Sequence, residues 1–245
     1  MARSASVSSL VIVLLSAIAA CVRAPREPAP ASGAATGIAA TVNEARPMPW
    51  RPLFDGRTTT GWRGYRMDSM PAGWQAVEGA LTRTGPASDI ITVERFRDFE
   101  LELDWKVAVG GNSGIFYRVT ETGDAAYFSG PEMQVLDDAR HRDGQSRLTS
   151  AGALYGLYPA PAGIVKAAGE WNHARVVVRG SHVEHWLNGV QTVNAEMGSA
   201  DWNAKVAAGK FREWPQFAQS ASGHIALQDH GDWVAFRDIR IRELP

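Results

Sequence analysis

The 245-residue sequence holds a single cysteine, Cys21. An intramolecular disulfide is thereby excluded, as is a zinc site built from several thiolates. An excess of one charge is also missing, since 25 Lys and Arg balance 26 Asp and Glu. Without a basic excess to neutralise phosphates, a nucleic-acid partner is not expected. Internal repeats and heptads are lacking, which removes coiled coils and solenoids. No apolar run is long enough and cleanly enough flanked for a membrane span. What is plentiful is glycine, 24 residues, and tryptophan, nine. That pairing suits tight turns between half-buried strands better than a helix bundle.

The first residues read as an address. Arg3 precedes an apolar core at Leu10 to Leu15, and small residues follow. This is the layout of a secretory signal. Its end, Ile18-Ala19-Ala20-Cys21, resembles the bacterial lipobox. That resemblance implies cleavage before Cys21 and lipidation of its thiol. It also implies an exported, membrane-anchored lipoprotein facing the periplasm or the cell surface. Residues 22–49 are rich in Ala and Pro, with scattered charges and no apolar period. They read as a flexible tether. A single folded domain is then expected over residues 50–245.

Within it the pattern alternates with period two, as half-buried strands do. In Phe99 to Val107, Leu101, Leu103 and Trp105 face one way and Glu100, Glu102 and Asp104 the other. Asn112 to Val119, Glu132 to Leu136, Ala174 to Arg179 and His182 to Leu187 continue the series. Asn188-Gly189 predicts a type I′ hairpin back into Val190 to Val193. His224 to Gln228 and Val234 to Arg242 close the chain, the last with a phase break that predicts a bulge. Ser199 to Phe211 alone has helical character, with Trp202 and Val206 one turn apart. The expected fold is all-β, a two-sheet antiparallel β-sandwich with one short inserted helix.

Four stretches carry candidate chemistry. Glu100, Glu102 and Asp104 resemble the acid cluster of retaining β-glucanases, but their order, Glu-x-Glu-x-Asp, differs from Glu-x-Asp-x-Glu. A solvated strand face is the preferred reading. In Pro131 to Asp138, Glu132 and Gln134 share a face suited to sugar hydroxyls. The run Asp137-Asp138-x-x-His141-x-Asp143 that follows leaves a divalent cation open. In Ile225 to Gly231, Gln228 and His230 share a face beside Asp229, and a histidine near an acid is a candidate acid/base. In Asn112 to Arg118, period two puts Asn112, Gly114, Phe116 and Arg118 on one face. Arg118 would then stack or hold an oxyanion.

GGNSGIFYR at 110–118, PEMQVLDD at 131–138 and AGALYGLYP at 151–159 resemble the 3-keto-disaccharide hydrolase domain family. LFDGRTTTGW, GEWNHARVVVRG, VEHWLNG, GHIALQDHG and the AKVAAGKFREWPQF stretch extend the resemblance across 51–244. It implies a concanavalin A-like, laminin G-like jelly roll and cleavage of glycosides whose sugar carries a 3-ketone. The ketone acidifies the C2 hydrogen, so a base can form an enolate and expel the C1 oxygen. Water then adds to the enone. Such chemistry needs a base, an oxyanion stabiliser and a proton donor. It also needs a sugar 3-oxidoreductase upstream to make the ketone.

On the motif positions, Glu132 or His230 would be the base. Arg118 or a bound metal would hold the oxyanion, and Asp137 or His141 would protonate the leaving group. No cofactor is otherwise required. Gln134, Gln228, Asp229, Asn112 and Tyr155 would orient hydroxyls, and Trp171 would stack on a sugar face. His185 is a further candidate, with Trp186 expected inside the core. The alternatives are a non-catalytic, lectin-like carbohydrate-binding module, a glucanase using Glu100 and Asp104, and a structural envelope lipoprotein.

Overall fold

The computed structural model describes residues 47–245. The signal segment, Cys21 and nearly all of the 22–49 tether lie outside the described residues. The chain forms strands β1 (Arg51–Pro52), β2 (Trp62–Gly64), β3 (Trp74–Val77), β4 (Ala80–Arg83) and β5 (Ile90–Thr92). β6 (Phe99–Val107), β7 (Asn112–Val119), β8 (Glu132–Leu136), β9 (Asn172–Arg179) and β10 (His182–Leu187) follow. After β11 (Val190–Glu196) comes helix α1 (Ala200–Ala208), then β12 (His224–Leu227) and β13 (Val234–Glu243).

Two antiparallel sheets result, as expected. One runs β11-β10-β9-β6-β13-β4-β3, with β1 added to β13; the other runs β2-β5-β12-β7-β8. Leu101, Leu103 and Trp105 of the first sheet join Ile115, Tyr117, Met133, Val135, Ile225 and Leu227 of the second in one buried core. Burying a large aliphatic or aromatic side chain contributes ~1.5–3 kcal/mol. This core fixes the parity of every strand that enters it.

That parity decides which way the polar residues face. With Ile115 and Tyr117 inside, Asn112, Gly114 and Phe116 turn to the far face of the five-stranded sheet. Glu132, Gln134 and Gln228 share that face with them. A smaller apolar cluster, including Phe116, Ile91, Ala126 and Ala226, covers part of it. All of β7 is therefore buried on both sides.

Local signals hold in detail. Asn188 and Gly189 both take positive φ, 50° and 83°, as a type I′ turn requires. The register of β13 shifts between Arg237 and Arg240, around Asp238 at φ 51°, where the phase break predicted a bulge. The helix is shorter than Ser199 to Phe211. Ser199 caps it by accepting from the Trp202 N–H at 3.1 Å, and Gly209 ends it. A separate 3₁₀ turn, Lys210–Glu213, follows.

Candidate active site

The outer face of the five-stranded sheet carries a cavity of about 150 Å³. Its floor comes from three neighbouring strands: Asn112 at the start of β7, Glu132 and Gln134 on β8, and Gln228 just past β12. Tyr127, Asp143, Tyr155, Lys210 and His230 close it from loops. Six residues expected from the sequence thus meet: Asn112, Glu132, Gln134, Tyr155, Gln228 and His230.

Glu132 makes no side-chain hydrogen bond or ion pair among the described residues. Burial pushes its carboxyl up to about 8. The Lys210 charge opposes that rise, while Asp89 and Asp143 add to it. Space for the carboxyl is made by Gly114, since a Cβ there would overlap a Glu132 oxygen. The requirement at 114 is for a missing side chain, not for special backbone angles.

The amides around Glu132 are under-satisfied. Asn112 Oδ1, Gln134 Oε1 and Gln228 Oε1 are buried without a partner. A buried polar atom left alone costs ~1–3 kcal/mol. Three at one cavity are a standing cost that a ligand can relieve. A sugar hydroxyl, donor and acceptor at once, satisfies either end of an amide. On Gln134 the other end is fixed, with Nε2 donating to the Thr149 carbonyl at 3.1 Å.

Lys210 is the cation of the cavity. Its Nζ lies 4.5 Å from the centre of the Tyr155 ring and 5.5 Å from that of Trp214. The Tyr155 hydroxyl donates to Asp143 Oδ2 at 3.5 Å, and burial pushes its own pKa to about 12. The His230 ring stands 6.2 Å from that of His141, edge to face. His141 lies outside the lining and caps the 3₁₀ turn Arg142–Gln145, its Nδ1 accepting from the Asp143 N–H.

Four expected residues fall elsewhere. Arg118 was placed on the Asn112 face by counting in twos. The β7–β12 register shifts between His224 and Ala226, and Arg118 sits at φ 54°, so parity breaks there. Its guanidinium donates to the Gly180 carbonyl at 2.5 Å and lies 3.7 Å from Asp98. Asp137 clamps a turn, accepting from the N–H groups of Gly110 and Ala139 at 2.8 and 3.1 Å. Trp171 packs between Lys106 and Arg237 on the outside of the other sheet.

His185 is fully buried in the core, where Val183 and Leu187 fix its parity, and Trp186 faces outward under Arg175. The expected order of those two is reversed. His185 Nε2 meets the Tyr117 hydroxyl at 3.1 Å, and burial holds its pKa down, to about 3. Asp229 is close to the site without entering the cavity. Arg83 pairs with it, and it accepts from the Gly231 N–H.

Of the acid-rich run after β8, Asp137 and Asp138 are spent on backbone, Asp138 accepting from the Ala151 N–H at 2.8 Å, and Asp143 lines the cavity. Among the described residues no group of three His, Cys, Asp or Glu side chains is gathered as for a metal ion. Lys210 and Tyr127 went unnoticed in the sequence. Each comes from a short 3₁₀ turn with no periodic signal.

Larger clefts exist but carry less chemistry. One of about 550 Å³ lies by Trp50, Asp104, His173 and Arg240. Its acid Asp104 is already bound by His173 at 2.9 Å and Arg237 at 3.1 Å.

Relatives share this chain's sequence and fold. A curated 3-keto-disaccharide hydrolase of Bacteroides thetaiotaomicron is 34% identical over 224 residues, 78% of this chain and 77% of the relative. A crystal structure of a candidate glycosyl hydrolase from Parabacteroides distasonis is 32% identical with a TM-score of 0.74, covering 80% of this chain and 94% of that one. A second from the same organism is 29% identical with a TM-score of 0.63, covering 80% and 100%. The 3-keto-alpha-glucoside-1,2-lyase-like domain matches residues 49–242, and the chain belongs to that family.

Proposed function

We propose that this enzyme cleaves glycosides of 3-keto sugars by elimination and hydration, with Glu132 as the base. One observation carries the reading: a lone, unpaired carboxyl with raised proton affinity, in a cavity of under-satisfied amides. A base of that strength suits a C–H acid α to a ketone far better than an ordinary carboxylate does. A binding-only module gains nothing from such a group.

Glu132 takes the C2 proton, and the electron pair moves into an enolate on O3. Lys210 is the cation placed to hold that oxyanion, the role expected of Arg118. The enolate collapses, the C1–O bond breaks, and the departing oxygen takes a proton from His230. Water adds at C1 of the enone and a proton returns to C2, giving the 3-keto sugar. Asn112, Gln134 and Gln228 position the hydroxyls. No oxocarbenium ion is required, so no pair of carboxylates across the bond is needed.

The substrate must come from an oxidation at C3, so a sugar 3-oxidoreductase precedes this enzyme. Export and lipidation at Cys21 belong to the same proposal. Intact mass of the mature protein checks them, and a product with a free Cys21 thiol would contradict the anchor. The activity itself is tested by mixing the protein with 3-keto-trehalose and following free 3-keto-glucose. Release from the oxidised sugar and none from trehalose is expected. Equal cleavage of both would overturn the reading.

A further inference from the structure

A second cavity, of about 320 Å³, adjoins the first and shares Tyr127, Gln228 and His230 with it. We propose that this second cavity is the leaving-group subsite, which binds the departing sugar of a disaccharide through Asp89 and the Tyr127 ring. This rests on the assignment of Glu132 as the base.

The placement follows from bond lengths along the substrate. Glu132 lines only the first cavity, so C2 must lie there. A cavity of about 150 Å³ is the size that takes benzene, so it leaves no room for a second sugar beside the keto sugar. The glycosidic oxygen is two bonds from C2. With His230 on the shared wall as its proton donor, that oxygen lies at the wall, and whatever it carries continues into the second cavity. The two together reach the ~300–1,000 Å³ typical of small-molecule sites.

The second cavity has the equipment to bind a sugar. Tyr127 is exposed and already stacks on Phe128 with ring centres 5.0 Å apart, so its ring is held as a platform. Three acids line the cavity, and two are committed. Asp229 is bound by Arg83, and exposed Asp124 pairs with Arg66 at 3.2 Å. Asp89 makes no ion pair among the described residues, and His230 is the cation nearest in effect. One of its oxygens accepts from the Asp229 N–H at 3.0 Å. Burial pushes it up to about 6, against the pull of the Asp229 and Ala126 N–H groups. Above about pH 6 it accepts from hydroxyls, and below that it also donates. Ser88 adds a hydroxyl beside it.

Two variants and two substrates test the assignment. Asp89→Asn keeps the shape of the side chain and removes its charge. Ala125→Phe fills the cavity from its wall. Each is assayed well above about pH 8, where Glu132 is ionised with or without the Asp89 charge, on 3-keto-trehalose and on methyl 3-keto-glucoside, whose methyl group does not reach the subsite. Unfolding midpoints check that both variants fold. The expected result is a KM at least tenfold higher on the disaccharide in each variant, with less than a threefold change on the methyl glycoside. An unchanged KM on the disaccharide, or equal changes on both substrates, would overturn the subsite. Should Ala125→Phe not fold, Asp89→Asn decides alone. Failure of wild-type protein to cleave either substrate would instead overturn the proposed function.

Discussion

Glu100 and Glu132 sit on the outward faces of the two sheets, Glu100 buried and Glu132 half-buried in its cavity. Glu100, on β6, is 3% exposed and lies between Arg175 and Arg242. Glu102 and Asp104 extend the same face into a ladder with Arg240, Arg237 and His173. Glu132, on β8, has no ionic partner among the described residues, and its neighbours are amides with free ends. One sheet satisfies its buried acids completely; the other leaves one acid and three amides short. The first arrangement holds a fold together, and the second stores binding and proton affinity at a cost in stability.

The largest effect that should separate the two is on turnover. Glu132→Gln is expected to lower kcat by ~10²–10⁴-fold, the usual loss of an acid/base. Stability should move the other way. The folded pKa of Glu132 lies above its ordinary 4.5, so the native state holds the proton more tightly. Its contribution is therefore lost as pH rises from about 4.5 to about 8. Thermal unfolding from pH 5 to 9 should show Glu132→Gln overtaking the wild type as pH rises. Equal slopes would remove the buried-acid argument. Turnover follows the same ionisation, with kcat/KM climbing with pH and levelling above about 8.

Lys210→Met comes next, at ~10²–10³-fold in kcat, the typical loss of one oxyanion donor. It should also shift the inflection of that pH profile upward, because the Lys210 charge opposes the rise at Glu132. A lysine that merely packs on Tyr155 would leave the inflection in place. Gly114→Ala should displace the Glu132 carboxyl and cost ~10²-fold in kcat, in line with a ~1 Å misplacement. Its KM should change less than its kcat.

Glu100→Gln sharpens the contrast from the opposite side. Breaking a buried ion pair costs ~3–5 kcal/mol. Here the loss should be smaller, because the Arg175 and Arg242 side chains remain 33% and 31% exposed. A lower unfolding midpoint with kcat/KM within twofold of wild type is expected. A large loss of activity would bring the glucanase-like reading of this face back.

Much of the fold was legible because it rests on period two. β6, β7, β8 and β10 have the bounds their alternation suggests, and the Asn188-Gly189 hairpin and the β13 bulge lie where their local chemistry puts them. The short strands β1 to β5 were not individually visible, since two to four residues do not establish a period. The site was legible where residues lie on regular strands: Glu132, Gln134, Asn112 and Gln228 follow from parity. Arg118 departs from the count where a register shift interrupts parity, and His185 follows the parity of Val183 and Leu187 into the core. Lys210, Tyr127 and Asp89 come from loops and turns, whose positions depend on tertiary packing.

The central claim is that C2 loses its proton during cleavage. The most direct measurement is turnover of 3-keto-trehalose in D₂O, with mass and NMR analysis of the released 3-keto-glucose. A parallel incubation of the product alone corrects for spontaneous exchange. The account predicts one deuterium at C2 in the sugar released by the wild type, formed at a rate that collapses in Glu132→Gln. Release of 3-keto-glucose that keeps its original C2 hydrogen would contradict it and point to direct displacement at C1.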